Sequence, residues 1–372
     1  MKNWHVLLVG AVLLAGCGGS AQTSNAVDSA TGWVLWTKSV TPAYTGSSRI
    51  VSDPSVIADD AVFRLAFTSV DFTNPAGPHA SISLATSTDS SRWTAVDSTA
   101  SGSVFRGEIL RGRDGEWDEN LETPFLLKTA NGYFLYYSGY RDGVDPSEPA
   151  KGLPASLGLA ASTDGVTFTR AQSAPILEPT PDSFDADAIY SPDVIPYEGG
   201  YLMVYAGHCY NHCPGDAPGV RILSATSPDG VHWAKSAQPL LAPSAPPKWM
   251  SDGVAEPAIL LGPDGYLYLF FTGVNGTEHA IGVARTASLT NAWDIDPKPI
   301  IAPTAGSYDE TGDTGPSVML ENGAVRMWFT GTTGAGQYSI GYAEAQWPLR
   351  RSKTHSTNPV LAIAAALPSS AK

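Results

Sequence analysis

Three cysteines, 22 basic residues and no apolar run long enough to span a bilayer set the first limits on this chain of 372 residues. Acidic residues number 36, so the net charge is −14. That balance excludes a nucleic-acid surface, which needs clustered Lys and Arg against phosphate. Stretches with a helical period are scarce, which argues against a helix bundle. There is no Gly-x-Ser-x-Gly elbow, no phosphate loop and no His-Glu-x-x-His, so the commonest nucleophile, nucleotide and zinc-protease chemistries have no carrier. What is present is a 43% apolar composition, sufficient for a packed core, together with 37 Gly and 29 Pro. Many short strands joined by turns are expected from it.

The N-terminus reads as a secretory signal. Lys2 supplies positive charge, Val6 to Leu14 form a short apolar core, and Leu14-Ala15-Gly16-Cys17 follows. The last four residues resemble a bacterial lipobox. That resemblance implies cleavage before Cys17 and lipid (palmitate) on its thiol. Gly18 rather than Asp favours the outer membrane or cell surface over the inner membrane. The expected division is a signal peptide over 1–16, a small polar tether over 17–30, a folded body over 31–348 and a disordered tail over 349–372. The body is expected to be a monomer held at the membrane through its lipid.

The other two cysteines, Cys209 and Cys213, lie in Gly207-His208-Cys209-Tyr210-Asn211-His212-Cys213. In an oxidising compartment such a pair is read first as a disulfide pinning a loop. The alternative is a metal site built from His208, Cys209, His212 and Cys213. Export favours the disulfide, and no metal or other cofactor is expected.

One unit recurs along the body: a Pro opening an apolar strand, a turn, then an aromatic strand ending in Gly. The first strands read DPSVI, TPFLL, SPDVI, EPAIL and GPSVML, with Pro54, Pro124, Pro192, Pro257 and Pro316 marking them. The second strands are VFRLAFTS, YFLYYSG, YLMVYAG, YLYLFFTG and VRMWFTG, and turns such as Asn131-Gly132, Gly199-Gly200 and Asp264-Gly265 precede most of them. A third strand follows in each unit (ISLATS, LGLAAS, ILSATS, IGVART, IGYAEA), and a turn with an aromatic residue announces a fourth. Four antiparallel strands per unit is the composition of a propeller blade.

The fifth unit stops after its third strand. Val34 to Pro42 resembles Val231 to Pro239, the fourth strand of unit three. The expected fold is therefore an all-β, five-bladed β-propeller whose last blade is closed by the N-terminal strand, which removes free sheet edges.

In a propeller the innermost strands converge on one axis. Asp53, Glu122, Asp193 and Glu256 stand beside the prolines of four units, and Asp313 stands three residues before Pro316. Carboxylates that face one cavity raise each other's pKa, which keeps a general acid protonated near neutrality. The aromatic-Asp pairs Trp117-Asp118, Phe184-Asp185 and Tyr308-Asp309 recur and are read as scaffold. The carboxylates beside the prolines vary from unit to unit, which leaves Asp53, Glu122 and Asp193 free to be functional; the competing reading makes them turn caps. Trp117, Tyr190 and Trp249 are candidates to stack on sugar faces, with blade packing as the alternative.

These motifs resemble the five-bladed propeller glycosidases, the superfamily of arabinanases, β-xylosidases, levansucrases and invertases, with glycoside hydrolase family 43 the nearest pattern. The resemblance covers all five units as short motifs. It implies a catalytic base at Asp53 in SDPSVI, a general acid at Glu122 in LETPFLL, and an orienting Asp at Asp193 in SPDVI. The order departs from the family: the Pro-Asp motif belongs in blade two and the Glu in blade three, and here they are exchanged. Tyr190 stands where the third-blade acid belongs, which makes Glu256 the alternative acid and Asp313 a further candidate. The implied activity is cleavage of glycosidic bonds in poly- or oligosaccharides by a carboxylate pair at the axial mouth. The rival is a non-catalytic propeller of the cell envelope that binds glycan or protein at the same mouth.

Overall fold

Each repeat folds back on itself, because two apolar runs separated by a two-residue turn pair most readily with each other. The computed structural model describes residues 26–351 except 47, 49, 74–77, 142–154 and 212. These residues form five blades. Blade one consists of Val51–Asp59, Val62–Asp71, His79–Ser87 and Thr94–Ala95. Blade two consists of Asn120–Thr129, Gly132–Tyr140, Ser156–Ser162 and Thr169–Arg170. Blade three consists of Ala188–Tyr197, Gly200–Cys209, Gly219–Ser227 and Ala234–Lys235. Blade four consists of Gly253–Leu261, Leu267–Asn275, Glu278–Thr286 and Asp294–Ile295. Blade five has Gly312–Glu321, Ala324–Thr332 and Tyr338–Gln346, and its outer strand is Thr37–Lys38 from the other end of the protein.

That closing strand pairs antiparallel with the last one, Thr37 opposite Glu344 and Lys38 opposite Ala343. Its register matches blade three, where Lys235 stands opposite Ala225. The propeller with an N-terminal closure is thus the observed fold. Packing also runs slightly beyond the expected body. Val27 bridges Val34, Arg350 bridges Trp33, and Leu349 is buried in the core that joins blades four and five.

Three repeated devices hold the ring. An aromatic residue beside the outer strand packs edge-on against the second strand of the preceding blade: Trp93 on Trp328, Trp233 on Tyr136, and Trp36 on Phe270. A second aromatic, just before the inner strand, lies over the glycine of the second strand. A Cβ on Gly139 would come within 2.5 Å of Trp117, and one on Gly273 within 2.2 Å of Trp249. The Asp after that aromatic takes a cation from the outer strand: Asp118 with Arg170 at 2.6 Å, Asp185 with Lys235 at 2.6 Å, and Asp309 with Lys38. Blade four replaces the ion pair with Met250 and Ile295, which share one apolar cluster. The signal peptide, Cys17 and most of the expected tail lie outside the described residues.

Candidate functional site

The inner strands share an irregularity that aims their side chains at the axis. Each has a bulge around its Pro, between Ser52 and Ser55, Glu122 and Phe125, Tyr190 and Asp193, Ala255 and Ala258, and Thr314 and Ser317. The residue before the Pro is left-handed in all five: φ is 53° at Asp53, 48° at Thr123, 54° at Ser191, 47° at Glu256 and 56° at Gly315. A following Pro disfavours that conformation, and each non-glycine instance costs roughly 1–3 kcal/mol.

Hydroxyls from the neighbouring blade hold the strained backbone. The N–H of Asp53 donates to Thr330 Oγ1 at 2.8 Å, that of Thr123 to Thr68 Oγ1 at 3.1 Å, that of Ser191 to Ser138 Oγ at 3.2 Å, and that of Gly315 to Thr272 Oγ1 at 3.1 Å. In blade three the equivalent position is Ala206, which offers Glu256 no hydroxyl. One step deeper, Ser317 Oγ accepts the N–H of Val56 at 2.9 Å and Ser55 Oγ that of Leu126 at 2.8 Å. Asp193 occupies the same place in blade three and accepts from the N–H of Ile259.

The ring surrounds an axial cavity of about 30 Å³ lined by Asp53, Thr123, Ser191, Asp193, Glu256 and Gly315, among others. That is the space of about one water molecule. A ligand larger than that has room only above it, at the mouth where the inner strands begin.

Three carboxyl groups meet there. Glu122 is pushed up to about 7 by burial and by the charges of Asp53 and Glu256, against a hydrogen bond from Tyr140. Glu256 is likewise pushed up to about 7 by burial and then by Asp53. Its Oε2 accepts from Thr272 Oγ1 at 2.7 Å and from the N–H of Gly315 at 2.9 Å. Burial raises Asp53 also, opposed by hydrogen bonds from Thr68, Ser52 and the Thr123 backbone. The charge of Asp53 raises both glutamates, so the three titrations are linked.

The remaining candidates part company with this group. Asp193 lines the axial cavity together with Asp53 and Glu256, and burial raises it well above the usual carboxylate range. Asp313 is fully buried and faces the outer strand, 3.2 Å from Lys38 Nζ, so it is not a mouth residue. Trp117 lies flat on Tyr137 at 6.1 Å, its Nε1 donating to Ser173 O at 2.8 Å. Trp249 lies on Phe271 at 5.5 Å, its Nε1 donating to Pro297 O at 3.0 Å. Both are blade-packing residues rather than sugar platforms, because the glycines beneath them admit the rings and the indole N–H groups are committed. Tyr190 is buried near the mouth, 6.3 Å from Tyr140 and 5.2 Å from His208, and its hydroxyl pKa is raised by burial and then by the charge of Glu122.

Cys209 and Cys213 form a disulfide with Cα atoms 5.6 Å apart. Among the described residues no group of three or more His, Cys, Asp or Glu is placed to hold a metal ion, and His212 lies outside them. Sequence reasoning missed Tyr140 and the ring of hydroxyls. The signal was present, since the second strands end in aromatic-Thr/Ser-Gly or its variants, with Ala206 as the exception.

The family model Glycosyl hydrolases family 43 matches residues 116–368. No curated protein matches this protein by sequence. Solved structures share the fold. BT0996, solved as an RGII complex, aligns with a TM-score of 0.68 at 18% identity, over 86% of this protein and 94% of that one. A thermostable family-43 glycoside hydrolase aligns with a TM-score of 0.59 at 15% identity, over 83% and 97%. A β-1,2-mannobiose phosphorylase from Listeria innocua aligns with a TM-score of 0.59 at 12% identity, over 83% and 92%.

Proposed function

Given that the chain belongs to glycosyl hydrolases family 43, a propeller enzyme family acting on glycosidic bonds, we propose that Glu122 and Asp53 are its acid and base. The observation that carries this pairing is the state of Glu122: half-buried, hydrogen-bonded by Tyr140, raised to about 7 and flanked by the charge of Asp53. Protonated Glu122 donates its proton to the leaving glycosidic oxygen as the bond to the anomeric carbon breaks. Asp53 either takes a proton from the attacking water or itself attacks that carbon, after which water releases the sugar. Glu256, raised to about 7 on the other side of Asp53, is the second candidate acid. Asp193 then serves as a channel hydrogen-bond acceptor, equivalent to Ser55 and Ser317, and not as an orienting group for the acid.

The test is sugar release from a panel of poly- and oligosaccharides by a soluble protein starting after Cys17, beside Glu122→Gln, Asp53→Asn and Glu256→Gln. Loss in the first two, with folding intact, supports the assignment. Retained release in Glu122→Gln with loss in Glu256→Gln moves the acid to blade four. We also propose that the mature protein is a monomer carrying lipid on Cys17 at the cell envelope. Labelled palmitate should enter the protein in cells and be absent from Cys17→Ala.

A further inference from the structure

The chain enters and leaves the propeller on the side away from the mouth. The inner strands begin at the mouth and finish on the far face at Asp59, Thr129, Tyr197, Leu261 and Glu321. Third strands run the same way, since each is antiparallel to a second strand that is itself antiparallel to the inner one. The last of them therefore ends at Gln346 on the far face, opposite Ala324 of the inner hairpin. Trp347 continues across that face: its N–H donates to Gly323 O at 2.9 Å, and its ring lies 5.2 Å from Tyr268. The N-terminal segment is sewn to the same place. The N–H of Val34 donates to Leu349 O, that of Arg351 to Gly32 O and that of Leu35 to Ala26 O, each at 2.9 Å. Residue 26 thus sits at the rim of the far face, beside blades four and five.

This part of the far face is apolar where it meets solvent. Leu35 is 49% exposed and Leu261 46%, both large apolar side chains left uncovered. Trp347, half-buried, stands next to Leu261, since a Cβ on Gly262 would come within 2.5 Å of its ring. Arginines lie over the neighbouring rings: Arg285 at 4.6 Å over Tyr266 and Arg350 at 5.3 Å over Trp33. Leucine, amphipathic rings and arginine stems with charged tips suit the zone between lipid headgroups and acyl chains. The mouth has the opposite character. It gathers Asp53, Glu122 and Glu256, which an anionic leaflet repels.

We infer that the far face of blades four and five is a contact surface for the phospholipid layer, so that the mouth opens away from the membrane. The inference rests on the lipid proposed at Cys17. Fully extended, the stretch 17–25 reaches at most about 30 Å, so a lipid on Cys17 keeps the rim at residue 26 close to the headgroups. A ten-residue inner strand such as Gly312–Glu321 sets the mouth about 33 Å further out. Tethering raises the local concentration of lipid at this rim, so a contact too weak to hold the protein by itself is enough to orient it. A mouth turned outward meets polysaccharide without drawing it between protein and membrane.

The experiment places a photo-crosslinking amino acid at residue 35, 261 or 335 of the full-length protein. Ala335 is exposed between the last two strands of blade five, on the mouth side. Protein lipidated in cells is reconstituted into vesicles of phosphatidylethanolamine and phosphatidylglycerol and illuminated, and lipid adducts are read by mass spectrometry. Positions 35 and 261 should give adducts and position 335 none. Adducts at 335, or at none of the three, would overturn the contact surface. The anchor and the face fail separately. Protein that takes up no palmitate loses the anchor. Coupling its Cys17 to a maleimide phospholipid in the same vesicles still reads the face, because Cys209 and Cys213 are bonded to each other. Palmitate uptake together with adducts at 335 keeps the anchor and removes the face.

Discussion

Tyr140 donates its phenolic hydrogen to Oε1 of Glu122, both residues belonging to paired strands of blade two. The bond favours the ionised carboxylate, whereas burial and the charge of Asp53 favour the protonated acid and prevail, leaving Glu122 at about 7. Tyr140→Phe removes the one opposing influence. The acid should then titrate higher, and the alkaline limb of the pH dependence of kcat/KM should move to higher pH. Loss of the orienting bond should lower kcat by about tenfold, against the roughly 10²- to 10⁴-fold loss typical of removing a general acid, here by Glu122→Gln. A limb that stays in place in Tyr140→Phe would remove Glu122 from the acid role.

The same mouth makes stability depend on pH. Glu122 and Glu256 are both pushed up to about 7 from an ordinary value of 4.5, so the folded protein binds their protons more tightly than the unfolded one. Stability should therefore be highest below pH 4.5 as far as these two groups are concerned, and should fall as pH rises through 7. Glu256→Gln never ionises. Relative to the natural protein it should gain on the order of 1–3 kcal/mol at about pH 8 and little at about pH 5, measured by urea unfolding at both values. Equal differences at the two pH values would show that Glu256 is not raised.

Much of this molecule was legible because a blade is a local object. The Pro-led strand, the tight turn and the aromatic-Gly strand recur within one repeat, and the match of Lys38 to Lys235 identifies the closing strand from the sequence alone. The mouth is non-local. Glu122 depends on a tyrosine across its own hairpin and on carboxylates from blades one and four, and no spacing along the sequence expresses that. Asp313 was misplaced because three residues before a bulged Pro turns a side chain toward the outer strand and Lys38. Trp117 and Trp249 looked available for stacking because the partner that buries them is a glycine on another strand, although YSG and FTG carry that glycine in plain view.

The packing role of Trp249 is open to a direct check. Gly273→Ala would place a Cβ 2.2 Å from the indole, so the ring must move and about 1–3 kcal/mol of stability should be lost. Trp249→Phe should lower the melting temperature and leave KM unchanged. A raised KM at an unchanged melting temperature would return Trp249 to the sugar site.

Closure of the ring should be transferable between blades. Lys38 bonds Asp309 and Asp313, both fully buried, whereas blade four sets Met250 and Ile295 at the places of Asp309 and Lys38. Lys38→Ile alone strands two carboxyls without a cation and should cost about 3–5 kcal/mol. Burial and Asp309 already push Asp313 up to about 7 against Lys38. Without the lysine Asp313 binds its proton still more tightly in the folded state, so the loss should be greater at about pH 8 than at about pH 5. Lys38→Ile with Asp309→Met copies blade four and should recover most of the loss, leaving only Asp313 to stay protonated. Melting curves of the single and double variants at both pH values decide the matter. A double variant as unstable as the single one would mean that the ion pair, and not apolar contact of the right volume, is what locks the N-terminal strand into the last blade.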